Sequence, residues 1–144
     1  MEIINGERLV LGTCYYPERW DESLWRDDLK RMLENGIEVI RIAEFAWSKI
    51  ERYEGVFNYD FFDRFLDVAA DMGMKVIFCT PTATPPAWLT EKYPEVLNAN
   101  MDGVLYRHGG RRHYNYNSPK YQELTRIIVE KSASHYAKHP AIIG

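Results

Sequence analysis

The stretch at 109–119 holds the densest run of side chains able to bind a polar ligand. Two adjacent arginines, a histidine, two tyrosines and two asparagines lie between a pair of glycines and the sequence Ser118-Pro119. Ser118 suits a helix N-cap and Pro119 suits the first helical position, so the stretch is a predicted loop that ends where a helix begins. Its many donors and rings suit a polyhydroxylated or anionic ligand. The alternative is an ordinary polar loop whose arginines pair with surface acids.

A few side chains elsewhere are also candidates for chemistry. Arg41 lies in an apolar run, where a buried arginine needs an anionic partner, and Glu44 or another acid is the expected one. Glu44 is alternatively a carboxylate ligand for hydroxyl groups. His113 is a candidate general base, although a single loop histidine more often serves as a hydrogen-bonding scaffold. Trp47 and Trp88 suit either stacking on a sugar ring or packing in the core.

Composition narrows the class of protein. The 144 residues carry a formal net charge of -3, which argues against nucleic acid as the main partner. The N-terminal residues 1–12 do not resemble a signal peptide, and no apolar run approaches the roughly 20 residues of a membrane span. Cys14 and Cys79 fit neither a disulfide framework nor a zinc-site spacing. A cytoplasmic protein without membrane contact is therefore expected.

Hydrophobic periodicity predicts alternating strands and helices. The predicted strands lie at 9–11, 39–42 and 74–79, and the predicted helices run from Asp21 to Asn35, from an Asn58 cap to Gly73, and onward from Pro119. Residues 80–88 contain too many prolines for a regular element, and residues 89–118 are a predicted long irregular excursion. Residues 140–144 read as the first residues of a fourth strand.

A short internal sequence repeat predicts how the strands are connected. Residues 35–40 align with residues 72–77, and each copy is a helix end, a glycine and a strand with β-branched residues. Repeated βα units at this spacing predict right-handed crossovers and a parallel sheet. The predicted fold is the N-terminal portion of a (β/α)8 TIM barrel, with about three βα units and the start of the fourth strand. A doubly wound sheet is the alternative, but residues 12–16 lack its glycine-rich phosphate turn. Residues 1–144 are thus expected to be the N-terminal fragment of a longer catalytic domain.

Four motifs then carry a resemblance along nearly the whole chain. They are Gly12-Thr13-Cys14-Tyr15-Tyr16-Pro17-Glu18, Arg41-Ile42-Ala43-Glu44-Phe45-Ala46-Trp47-Ser48, the run from Thr80 to Leu89, and Arg111-Arg112-His113-Tyr114 with Asn117-Ser118-Pro119. In this order and register they resemble glycoside hydrolase family 42 β-galactosidases. The resemblance implies a retaining (β/α)8 hydrolase that needs no cofactor and removes terminal non-reducing β-D-galactose residues.

The resemblance also implies which site residues this chain contains. Retaining hydrolysis uses two carboxyl groups roughly 5 Å apart, and in the family both follow the position of Gly144. No catalytic residue is therefore expected here, and the segment alone should be inactive. Arg111, rather than Arg112, matches the galactose-contacting arginine of the family, and Arg41 is similar to the second-strand arginine beside the nucleophile. Asn115 stands where many members have a zinc-ligating cysteine, so no metal site is expected.

The expected partners are a β-galactoside or galacto-oligosaccharide substrate and the remainder of the barrel, with assembly into a homo-oligomer left open. Two alternatives to the β-galactosidase remain at this stage. One is a non-catalytic carbohydrate-binding or scaffold fragment. The other is a retaining β-glycosidase of the same clan that acts on β-mannosides or β-glucosides.

Overall fold

The computed structural model describes residues 9–110 and 112–144. Its helices and strands, in chain order, are β1 (Leu11–Cys14), α1 (Trp25–Glu34), β2 (Ile37–Ile42), α2 (Trp47–Ile50), β3 (Glu51–Tyr53), β4 (Val56–Phe57), α3 (Asp60–Asp71), β5 (Lys75–Phe78), α4 (Ala87–Lys92) and α5 (Pro119–Tyr136). These elements fall into two compact units. The first contains residues 9–43, 59–79 and 135–144, and the second contains residues 44–58, 80–110 and 112–134.

A parallel sheet in the order β1-β2-β5 forms the centre of the first unit. Arg41 of β2 is paired with Cys14 on one side and with Ile77 on the other. Beyond β5, Ile142 forms a parallel bridge with Val76, and the Phe78 amide donates to the Gly144 carbonyl at 2.9 Å. The predicted parallel order and the predicted start of a fourth strand are both confirmed.

Helices α1 and α3 supply the buried layer against this sheet. Helical spacing predicts six inward-facing residues, of which Trp25, Leu29, Phe62, Phe65 and Ile128 are buried and Ile127 is half-buried. The Trp25 and Phe65 rings meet edge to face with 5.1 Å between centroids, a geometry worth about 0.5–1.5 kcal/mol beyond the area that it buries. Helical spacing of apolar residues thus identified the face that packs on the sheet.

At Gly12 the backbone of β1 lies close to that of β2. A Cβ at this position would lie 3.0 Å from the Val39 carbonyl oxygen, inside normal contact distance. The β1–β2 register also shifts between Leu11 and Gly12. Glycine is therefore required by the approach of a neighbouring backbone rather than by a turn.

Two predicted helix starts are wrong. Helix α1 begins at Trp25, because Asp21 instead caps a short 3-10 turn by accepting from the Ser23 amide at 2.9 Å. Helix α3 begins at Asp60, and Asn58 is not its cap. The Asn58 amide donates to the Ile50 carbonyl at 2.8 Å, which keeps this residue in line with the preceding strand.

In the second unit, α2 leads directly into the antiparallel pair β3–β4, whose turn contains Gly55 with φ +79. Sequence reasoning treated residues 49–57 as unassigned and missed this hairpin. It also placed an irregular excursion from residue 89, whereas α4 continues to Lys92.

The middle of that excursion is a loop closed at its base. The Asn98 amide donates to the His113 carbonyl at 2.7 Å, and the Asn115 amide donates to the Val96 carbonyl at 2.8 Å. At the tip, the Asn100 side-chain oxygen accepts from the amides of Asp102 and Val104. Residues 98–113 are therefore a compact loop whose two ends are tied to each other.

None of the helices in the described ranges has the length and apolar content of a membrane crossing.

Candidate functional site

The carboxyl ends of the parallel strands are where a barrel builds its site. Arg41 lies there on β2, and its Nη2 is 3.2 Å from the Cys14 Sγ. The predicted burial of Arg41 is not seen in this segment, where its side chain is exposed. Alternate residues of a strand point to opposite faces, and the buried Ile40 and Ile42 occupy the face that the helices cover. Arg41 is therefore on the other face of the sheet, the side that forms the interior of a closed barrel.

Tyr15 immediately follows β1, where a phenol could act as an acid or base. Its hydroxyl donates to Asp28 at 2.8 Å, and its ring stacks on Phe65. Burial, and secondarily the neighbouring Asp28 carboxylate, raises the pKa of Tyr15 well above its ordinary value. Tyr15 therefore stays protonated near neutral pH and ties β1 to α1.

Ala43 follows β2 with φ +66, a left-handed conformation that is uncommon for a residue with a side chain. Its side chain is fully buried. The chain leaves the strand through this strained residue and continues to Glu44, which is half-buried. Such strain is typical of segments where the surroundings dictate the backbone path.

Glu51 is a buried carboxyl that sequence reasoning did not single out. Its two oxygens accept from the Trp47 indole and from the Gly55 amide, each at 2.7 Å. The Glu51 carbonyl accepts from the Trp88 indole at 3.0 Å. Burial raises the pKa of Glu51, and the hydrogen bonds from Gly55 and Trp47 oppose that shift.

These contacts decide the roles of the two tryptophans. Trp47 is fully buried, so its ring packs in the core rather than on a ligand. Trp88 is only half-buried, and its indole nitrogen is already engaged. A signal for Glu51 was present, since an acid four residues after a tryptophan can face it across one helical turn.

The stretch at 109–119 is the loop-to-helix connection that its residues predict. The Ser118 Oγ accepts from the Tyr121 amide at 3.4 Å, which confirms Ser118 as the cap of α5. Arg111 lies outside the described residues. Arg112 is exposed and has φ +58, so it too is a left-handed residue with a side chain.

His113 is 2% exposed, and its Nδ1 is 2.6 Å from the Gly110 carbonyl oxygen. A buried imidazole with one nitrogen committed to the backbone fits the scaffold role and gives no access for proton transfer to a substrate.

Three tyrosines in and after the stretch at 109–119 pack against one another. Tyr114 stacks on Tyr121 with 4.8 Å between ring centroids, and its hydroxyl is 3.2 Å from that of Tyr116. The Tyr121 hydroxyl donates to the Thr82 carbonyl at 2.8 Å. Burial raises the pKa of Tyr114 well above its ordinary value, so its hydroxyl remains neutral. These rings are a packed support and not a charged site.

Asn115 and the two cysteines are the residues that bear on the expectation of no zinc site. In the ranges 9–110 and 112–144, no group of three or more His, Cys, Asp or Glu side chains could hold a metal ion. Asn115 replaces the family's cysteine, and its side-chain oxygen instead accepts from the Asn117 amide at 2.9 Å. Cys14 and Cys79 are free thiols.

Known proteins are similar to this chain along most of its length. The β-galactosidase Bga of Halorubrum lacusprofundi is 41% identical over 134 residues, which are 93% of this chain and 19% of that protein. The β-galactosidase BgaA of a Thermus species is 44% identical over 135 residues, or 94% of this chain and 21% of that protein. The chain thus spans about a fifth of the length of these relatives.

Solved structures of β-galactosidases are also similar to this chain. The β-galactosidase of Marinomonas ef1 matches with a TM-score of 0.89 and 42% identity, over 93% of this chain and 20% of that one. The Halorubrum lacusprofundi β-galactosidase matches with a TM-score of 0.90 and 40% identity, over 94% of this chain and 20% of that one. The predicted fold class, part of a (β/α)8 barrel, is confirmed. The Glyco_hydro_42 family model, described as β-galactosidase, matches residues 14–144, and the chain therefore belongs to glycoside hydrolase family 42.

Proposed function

We propose that the full-length protein is a retaining β-galactosidase that hydrolyses terminal non-reducing β-D-galactose residues, with β-galactosides and galacto-oligosaccharides as substrates. The observation that carries this proposal is the family match over residues 14–144. It is supported by relatives more than 40% identical that are themselves named β-galactosidases. The remainder of the barrel is the necessary structural partner, since this chain spans only a fifth of those proteins.

Arg111 and Arg41 are the proposed substrate-binding residues. A guanidinium donates to two sugar hydroxyls in fixed geometry, which a lysine cannot do. For Arg111, the support is its motif, which comes in the sequence just before residues 113–115, whose backbone pairs with that of residues 96–98. For Arg41, the support is its place near the end of β2 on the interior face of the barrel. A positive charge there lowers the pKa of a nearby carboxyl and so helps to keep a nucleophile ionised.

The 144-residue segment alone is proposed to be inactive, because hydrolysis with retention needs a nucleophile and an acid/base together. Neither has a matching residue in this chain, and Glu44 is not promoted to either role. The proposed location is the cytoplasm, where the free thiols of Cys14 and Cys79 persist.

The test is kinetic and uses the purified full-length protein. The protein is produced in a host without its own galactosidase. Its kcat/KM is then measured for nitrophenyl β-D-galactoside, β-D-glucoside and β-D-mannoside. The proposal expects the galactoside to be the preferred substrate and the released sugar to keep the β configuration when monitored by NMR. A preference for the glucoside or mannoside would replace it with another activity of the clan, and an inverted product would contradict the retaining mechanism.

A further inference from the structure

We propose that His113 is a positioning residue for the arginine pair. Its imidazole ties Gly110 to His113 and so holds Gly110 and Arg112, the two sequence neighbours of Arg111, in place. The inference rests on the proposed function, because it assigns His113 to the loop that would bind galactose. It adds a residue that acts on the substrate only through its neighbours.

The His113 Nδ1 lies 2.6 Å from the Gly110 carbonyl oxygen. A carbonyl only accepts, so Nδ1 is the donor in this bond. This bond spans the two arginines in the sequence and ties Gly110 to His113.

The backbone on both sides of the bond is in the left-handed conformation. Arg112 has φ +58, and Gly109 before it has φ +89. Left-handed backbone is disfavoured for arginine and persists only where the surroundings impose it. The His113 bond is a contact placed to impose it, because it fixes the position of Gly110 relative to the residue that follows Arg112.

Contacts other than the Gly110 bond also hold His113 in place. Its carbonyl accepts from the Asn98 amide at 2.7 Å. Its ring meets the rings of His108 and Tyr114 edge to face, with centroid distances of 4.9 and 5.7 Å. Tyr114 in turn stacks on Tyr121 of α5. The imidazole is therefore the fixed end of this bond, and Gly110 is the end that it holds.

The second ring nitrogen of His113, Nε2, determines which substitutions are informative. The buried Nε2 of His113 has no hydrogen-bond partner in the described part of the chain. The Nδ1 bond is thus the polar contact that a substitution must reproduce. Asparagine places an amide donor close to the position of Nδ1, whereas phenylalanine keeps an aromatic ring but has no donor.

The experiment uses the full-length enzyme with His113→Phe and His113→Asn, each alone and combined with Arg111→Ala. We expect His113→Phe to lower kcat/KM for nitrophenyl β-D-galactoside about ten-fold, the loss that one such hydrogen bond gives. His113→Asn should stay within about three-fold of the parent. In the Arg111→Ala background, His113→Phe should cost less than about two-fold more, since coupled residues are not additive.

An equal loss in both backgrounds, an unchanged rate for His113→Phe, or equal damage from His113→Asn would overturn the inference. Arg111→Ala with parental kinetics would count against the proposed Arg111 contact instead, and the same cycle with Arg112→Ala then decides for His113. Hydrogen exchange of the peptide at 109–118 is read without substrate. Faster exchange in His113→Phe but not in His113→Asn supports the positioning role even if the protein lacks galactosidase activity, and no difference overturns it.

Discussion

Glu51 offers the clearest test of the packing in the second unit. Replacing it with alanine removes the acceptor of the Trp47 indole and of the Gly55 amide at once. Trp47 is fully buried, so its N–H cannot turn to water, whereas Gly55 is exposed and its amide can. Leaving one buried donor without a partner costs about 1–3 kcal/mol, and the lost Gly55 bond adds less than about 1 kcal/mol. We expect Glu51→Ala to destabilise the α2–β3–β4 segment by about 2–3 kcal/mol.

Glu51→Gln is the matched control, because the amide oxygen still accepts from Trp47. Its cost should be about 1 kcal/mol, since water replaces the remaining bond at Gly55. Hydrogen exchange of the peptide at 47–57 in the full-length protein measures both variants. Alanine should accelerate exchange about thirty-fold or more and glutamine about five-fold. Equal and small effects would refute the assignment of Glu51 as the buried acceptor.

The sign of the pH dependence follows from the raised pKa of Glu51. A carboxyl whose pKa is higher in the folded state stabilises the fold fully below its unfolded pKa of about 4.3. That contribution is lost as pH rises through the folded pKa. The stability difference between the parent and Glu51→Gln should therefore shrink from pH 4 upward, after correction for intrinsic exchange rates. A difference that grows with pH would show that the opposing hydrogen bonds outweigh burial.

Three further outcomes are expected. Arg111→Ala in the full-length enzyme should lower kcat/KM about ten- to a hundred-fold, since a charged hydrogen bond is worth about 1.5–3 kcal/mol, and Arg112→Ala on the same assay shows which arginine binds. Gly12→Ala should destabilise by about 1–3 kcal/mol in a thermal melt, because its Cβ meets the Val39 carbonyl, while Gly110→Ala makes only an ordinary contact and should melt like the parent. The 144-residue segment should release no nitrophenol from the galactoside above a buffer blank, and turnover by it would contradict the absence of the carboxylate pair.

The elements that the sequence predicted well are those with long periodic faces. Phe62 and Phe65 recur at helical spacing and are buried. The repeated pattern of a glycine followed by a strand, at residues 36 and 73, predicted the parallel pair β2 and β5. The sequence also predicted Ser118 as the N-cap of α5, because it directly precedes a proline. In each case the signal lies within a few residues of the feature.

The misses depend on contacts distant in sequence or on elements too short to show a period. Strands β3 and β4 have only a few residues each, so alternation cannot reveal them. Asn58 has the right side chain for a cap, but its amide is taken by Ile50. For Arg41, an apolar run predicted burial, yet only one face of β2 lies under the helices. For Glu51, the spacing from Trp47 was a usable signal, but the Gly55 amide reaches the same carboxyl through the β3–β4 turn, which the sequence did not reveal.

The closed base of the loop at 98–113 also bears on how such a protein can diversify. Because the two ends are tied to each other by backbone bonds, residues added at the tip near Met101 need not disturb the strands. Met101 is fully exposed, and each doubling of loop length costs only about 0.6 kcal/mol in closure entropy. Insertions there can enlarge or reshape the exposed tip of the loop at nearly constant stability. The loop is thus a natural place for evolution, or a protein engineer, to graft new recognition onto an unchanged barrel.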